Sequence, residues 1–198
     1  MRTRVAAFWL TRFERYSQWF ADSEPGRRSN VQRVLPEVSG QLVIPAPAGP
    51  FTLSARADRI DLTERGMVIT DYKTGSVPND RQIAAGMKPQ LPLEAAVALG
   101  DAGFAGVPRG APVAGLRYVR ATGAEPPGED SLVAAGDIAG LASEALAKLA
   151  DLVKHFDNEA TPYKALRRAR FDYDYDDYAH LARVAEWSVR GDDEVTIV

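Results

Sequence analysis

The chain has 198 residues, no cysteine, 45% apolar residues and a formal charge of −3 from 24 Lys+Arg against 27 Asp+Glu. Without cysteine it can build neither a disulfide scaffold nor an iron–sulfur cluster, and its length suits one domain over 1–198. No apolar run approaches the roughly 18 residues of a membrane span and no secretory leader is visible, so no membrane partner and a cytoplasmic location are expected. The first predicted element is a helix over 3–24, ended by Ser23-Glu24-Pro25-Gly26. Its aromatic face of Phe8, Trp9, Phe13, Tyr16, Trp19 and Phe20 reads as core or partner interface. A strand over 32–44 follows, then a Pro-rich loop over 45–50.

Two strands come next, FTLSARADRIDL and MVITDY, joined by the polar, glycine-ended turn Thr63-Glu64-Arg65-Gly66. A hairpin of that length brings Asp58 and Asp71 side by side at one end of adjacent strands. Side chains alternate along a strand, so Asp71 and Lys73 share a face while Tyr72 points the other way. Two carboxylates there are hard oxygen ligands for Mg²⁺ or Mn²⁺, and the backbone carbonyl of Tyr72 offers a further oxygen. Lys73 can orient a metal-bound water or offset charge developing on a phosphorane-like transition state. Singly, an Asp at a strand end is a turn former and K-T-G a hairpin exit. Their joint occurrence on adjacent strands points instead to phosphodiester hydrolysis.

After a turn over 74–78, a short helix is expected over 80–87 and a longer one over 89–99. Gln90 at the start of the second can hydrogen-bond a phosphate oxygen or the attacking water. Arg59 and Lys88 flank the site as candidate DNA-backbone contacts, with Arg59 on the far face if its strand is regular. A strand over 111–120, a loop over 124–130, an amphipathic helix over 137–158 and a last helix over 174–188 complete the plan. The core is expected over about 35–122. Basic residues cluster within the first 40 positions and again at Lys164, Arg167, Arg168 and Arg170, where local phosphate contacts would outweigh the net charge. No repeat, P-loop, nucleophile elbow or zinc-ligand spacing is present.

The order ADRID, DYKTG, QLPLEAA resembles the RecB-like branch of the PD-(D/E)XK nuclease superfamily. It looks most like the nuclease domain of AddB-type subunits of double-strand break repair helicase–nucleases, with alphaproteobacterial members nearest. The resemblance covers about residues 35–105 and continues more weakly into 175–188. It implies a restriction-endonuclease-like α/β fold, a mixed sheet flanked by helices, and a Mg²⁺- or Mn²⁺-dependent DNA exonuclease that works beside an AddA-type helicase subunit. It also implies that Asp58 and Asp71 hold the metal, that Lys73 is catalytic, and that Gln90 is the motif glutamine.

The sequence departs from that pattern in three places. The branch carries an upstream His, and here the histidines, His155 and His180, both follow the motif. Either that His lies outside this chain, which is favoured, or Glu14 or Glu24 substitutes. The four cluster-binding cysteines of many AddB domains are absent, as is the cysteine set expected of a free-standing relative. Glu94 stands where the branch usually has Tyr. The competing expectation is a catalytically silent DNA-end-binding or scaffold domain of a helicase–nuclease complex, and the intact set of Asp58, Asp71, Lys73 and Gln90 argues against it.

Overall fold

The computed structural model describes residues 2–133 and 137–163, and the chain begins with a long helix, α1 (Arg2–Arg28). The expected stop at Pro25 is not made; the helix runs through it to Arg28. Glu24 holds that last turn, 2.9 Å from Arg27 Nε and 2.6 Å from Arg28 Nε. Such i,i+3 and i,i+4 pairs support the helix where proline removes a backbone donor. An antiparallel meander follows: β1 (Val31–Ile44), β2 (Phe51–Thr63) and β3 (Gly66–Lys73). Its second turn needs Gly66, whose φ is +125° and whose missing Cβ leaves room for the Pro112 carbonyl.

Helices α2 (Asp80–Ala84) and α3 (Gln90–Leu99) come next, then β4 (Gly103–Phe104), β5 (Val113–Ala121), β6 (Gly128–Leu132) and α4 (Ile138–Phe156). Asn79 starts α2 through a capping box with Gln82, and Asp137 caps α4 by accepting from the Gly140 amide. The six strands form one sheet in the order β4-β1-β2-β3-β5-β6. β3 and β5 pair in parallel, the other neighbours antiparallel. A parallel pair needs a crossover, and α2 with α3 supplies it. The result is the restriction-endonuclease-like mixed sheet with flanking helices that the resemblance implies.

Two strands go beyond the sequence reading. β4 is only two residues long, and β6 takes the end of the segment expected as a loop over 124–130. β6 is the polar run GEDSL at the sheet edge, and it pairs through Gly128 with Ala121. Gly128 lies against the Trp19 ring, where any Cβ would collide.

Strand alternation gives the sheet two different faces. On one, Ile60, Ile69 and Leu116 join Leu91, Ala95 and Val97 of α3 in a cluster with no exposed surface. Burying each such large side chain contributes about 1.5–3 kcal/mol. On the other lies α1, whose Phe20 ring is 6.1 Å from that of Tyr72. The aromatic face of α1 therefore divides. Tyr16, Trp19 and Phe20 are half-buried, whereas Phe8, Trp9 and Phe13 are exposed. The chain divides into two compact units at Asp157, and the elements named above all belong to the first. The expected helix over 174–188, the basic cluster from Lys164 to Arg170 and His180 lie outside the described residues.

Candidate active site

The β2–β3 register pairs Arg59 with Thr70 and Ile60 with Ile69, which makes Asp58 and Asp71 the next opposed residues. Asp58 lies at the open end of that ladder, where its Oδ2 accepts from the Tyr72 amide at 2.9 Å. Amide and carbonyl of one extended residue point to the same side, so the Tyr72 carbonyl faces this end of the sheet as well. Asp71 is nearly inaccessible, with 2% of its surface exposed. Lys73, two residues on and on the same face, lies 2.8 Å from each Asp71 carboxylate oxygen. The other 2.8 Å contact of its Nζ is to Gln90 Oε1 at the start of α3. Gln90 closes the ring by donating from Nε2 to Asp71 Oδ1 at 2.6 Å. The structure thus joins Asp71, Lys73 and Gln90 by hydrogen bonds and sets Asp58 opposite Asp71 at the same end of the sheet.

Two further residues belong to this cluster. Glu94, one helical turn after Gln90, accepts from the same amide at 3.2 Å. Burial drives the Glu94 carboxyl up to about 7; the Gln90 hydrogen bond opposes this, and the charges of Asp71 and Asp58 add to it. Burial also raises Asp71, against the pull of Lys73. Tyr118 lies opposite Asp71 in the parallel β3–β5 register, and burial followed by the charges of Asp71 and Glu94 raises its phenol. The sequence marks Glu94 only as a departure from the usual Tyr, and nothing local marks Tyr118. Its place depends on a long-range parallel pairing that periodicity does not encode. Arg120 stands opposite Lys73 in that register, its Nη1 3.3 Å from Glu129.

Two candidates lie away from the site. Arg59, a candidate DNA contact, is buried on the α1 face, Nε 2.7 Å from Asp61 Oδ1 and Nη1 2.6 Å from Glu24 Oε1. Alternation alone accounts for this, since its neighbour Asp58 takes the other face. Glu24, the alternative to the upstream His, pairs with Arg27, Arg28 and Arg59 on that same face. Burial pushes its carboxyl up, but hydrogen bonds from Arg28, Arg59 and Arg27 prevail and hold it down at about 2, with its oxygens committed on the wrong side of the sheet. Glu14 is exposed on α1. In the N-terminal basic cluster, Arg12 donates to the Thr122 carbonyl and Arg27 stacks over Phe20. Lys88 is exposed in the link before α3, two residues from Gln90.

The donors fit a small divalent cation in kind. Asp58, Asp71 and the Tyr72 carbonyl are hard oxygens, and Glu94 Oε2 is a buried oxygen without a hydrogen bond. In their present rotamers they do not enclose one: among the described residues, no three acidic, His or Cys side chains converge as a metal site. The Gln90 amide lies between Asp71 and Glu94, and the Lys73 ammonium binds Asp71 and Gln90. No helix among the described residues is long and apolar enough to cross a membrane.

Comparison with known proteins agrees with this geometry at the level of the superfamily. A 92-residue segment is 32% identical to an uncharacterized protein of Rickettsia bellii, covering 46% of this chain and 11% of that protein. An uncharacterized protein of Rickettsia conorii is 29% identical over 92 residues, with the same coverage. The matched segment thus spans about a tenth of the length of these curated relatives. The crystal structure of SSO0001 aligns over 67% of this chain and 57% of its own, with a TM-score of 0.38 and 14% identity. The profile of the PD-(D/E)XK nuclease superfamily matches residues 3–180, nearly the whole sequence, and the chain belongs to that superfamily.

Proposed function

We propose that this chain is the nuclease module of an AddB-type helicase–nuclease, a metal-dependent DNA exonuclease acting in double-strand break repair and recombination. The observation that carries the nuclease reading is the closed ring of Asp71, Lys73 and Gln90, with Asp58 opposite Asp71 at the same sheet end. Structural ion pairs do not need a lysine, a glutamine and two aspartates from three elements at one half-open site. The AddB assignment is supported by the motif order DRID, DYKTG, QLPLEAA, and a module within a longer protein accords with the short matched segment of the Rickettsia relatives.

In this reading Asp58, Asp71 and the Tyr72 carbonyl hold Mg²⁺ or Mn²⁺, which when bound lowers the pKa of a ligated water and withdraws charge from the phosphate. Gln90 leaves Asp71 to hydrogen-bond the attacking water or a phosphate oxygen. Lys73 turns its ammonium toward the phosphoryl oxygens, where charge builds as the P–O bond to the leaving strand breaks. Lys88 and Arg120 serve the neighbouring DNA backbone, and an AddA-type helicase subunit delivers the strand.

The test is degradation of linear duplex and single-stranded DNA by the chain with Mg²⁺ or Mn²⁺, beside Asp71→Asn. Metal-dependent loss of DNA that disappears in the variant supports the nuclease reading. End binding without cleavage, unchanged in the variant, identifies a silent scaffold instead.

A further inference from the structure

We propose that Glu94 is a third carboxylate of the divalent-cation centre, supplied by α3 from the side opposite the strands; this rests on the metal-nuclease reading above. The geometry starts at the Gln90 amide. Its Nε2 lies 2.6 Å from Asp71 Oδ1 and 3.2 Å from Glu94 Oε1, so those two oxygens are no more than 5.8 Å apart. A single side-chain nitrogen therefore stands between two carboxylates that come from different elements.

Glu94 is out of keeping with its own helix face. Leu91, Ala95 and Val97 around it are completely buried and apolar, and Glu94 itself is 5% exposed. Its second oxygen, Oε2, is inaccessible and takes no hydrogen bond. Folded proteins rarely leave a carboxylate oxygen in that condition, because hydration is lost and nothing replaces it. Lys73 does not supply a partner: the hydrogen bonds of its ammonium go to Asp71 and Gln90. Asp71 and Glu94 thus share one amide donor, and Asp58 stands opposite Asp71 in the strand register. An apolar side chain would fill the Glu94 position at lower cost if packing were all that it served.

Two oxygens bound to one Mg²⁺ at about 2.0–2.1 Å lie at most about 4.2 Å apart. Asp71 and Glu94 need to close by under about 2 Å from their present limit, within the reach of a glutamate rotamer. The Gln90 amide must swing out first. The same movement frees it to face the phosphate, which couples filling of the centre to placement of the motif glutamine.

The test is calorimetric titration of Mn²⁺ into the whole chain and its Glu94→Gln, Glu94→Asp and Asp71→Asn variants. The Mn²⁺-induced rise in melting temperature is the second readout. Parent chain should bind Mn²⁺, Glu94→Gln should bind about tenfold or more weakly with a smaller thermal rise, and Glu94→Asp should fall between them. Parental affinity in a folded Glu94→Gln overturns the proposal and leaves the Asp58–Asp71 centre standing, provided that Asp71→Asn has lost binding. Should Glu94→Gln fail to fold, parental affinity in Glu94→Asp overturns the proposal equally. A parent chain that binds no Mn²⁺ overturns both the proposal and the metal reading beneath it.

Discussion

Replacing Glu94 by glutamine in the metal-free chain should stabilise it, and by an amount set by pH. The carboxyl is 5% exposed and moves from an ordinary 4.5 to about 7 in the folded chain. Since one pKa unit is 1.36 kcal/mol, ionised Glu94 carries a penalty of roughly 3 kcal/mol. A raised carboxyl means that the folded chain holds a proton that the unfolded chain has released, so stability falls as pH rises from 4.5 to about 7 and is level above that. Glutamine keeps the shape without the proton. Urea denaturation of both chains with chelator present, at pH 4.5, 6 and 8, is the assay. The stability difference should be near zero at pH 4.5 and reach about 3 kcal/mol in favour of the variant at pH 8. With a urea slope of about 1–3 kcal/mol/M, the midpoint then moves by ~1–3 M. A gain equal at all three values, or a variant less stable at pH 8, would refute the reasoning.

Lys73→Ala should lower cleavage by about 10²-fold or more while Mn²⁺ binding persists, as steady-state digestion beside calorimetry would show. Arg59→Ala leaves Asp61 buried without its partner, and about 3–5 kcal/mol of stability should be lost in urea unfolding; a weakened affinity for DNA in a chain of parental stability would contradict its placement. Glu24→Gln should flatten the acid limb of the stability curve, because the parent's carboxylate contributes fully above pH 4.5 and loses that contribution as pH falls toward 2. Arg120→Ala should weaken DNA binding and reduce its salt dependence by about one phosphate contact in a fluorescence anisotropy titration.

The hairpin and its chemistry were legible because they are local. A four-residue turn and period-two alternation suffice to oppose Asp58 and Asp71 and to put Lys73 beside them. Gln90 came from helix-start position together with the family pattern. The ends of elements were harder, since Pro25 argued for a stop that the Glu24–Arg28 and Glu24–Arg27 pairs override. β6 is polar and lies at an edge, so alternation had no buried face to reveal. Tyr118 and Arg120 enter the site through a parallel pairing across the α2–α3 crossover, and no spacing along the chain reports it. Arg59 was the instructive case: regular alternation already put it on the far face, and the ion pairs there are what proximity in sequence to Asp58 concealed.

The interleaving of these two sets constrains how the chain can vary. Asp58 and Ile60 face α3 while Arg59 and Asp61 face α1, and Asp71 and Lys73 alternate in the same way with Thr70 and Tyr72. A single-residue deletion within either strand would therefore do more than shorten it: in β2 it would set Arg59 and Asp61 against Asp58 on exchanged faces, and in β3 it would turn Asp71 and Lys73 away from Gln90. Surface hairpins ordinarily absorb such length changes. Here a frame error of one position exchanges chemistry for scaffolding, so substitutions are admissible across this hairpin, but insertions and deletions are tolerable only in pairs.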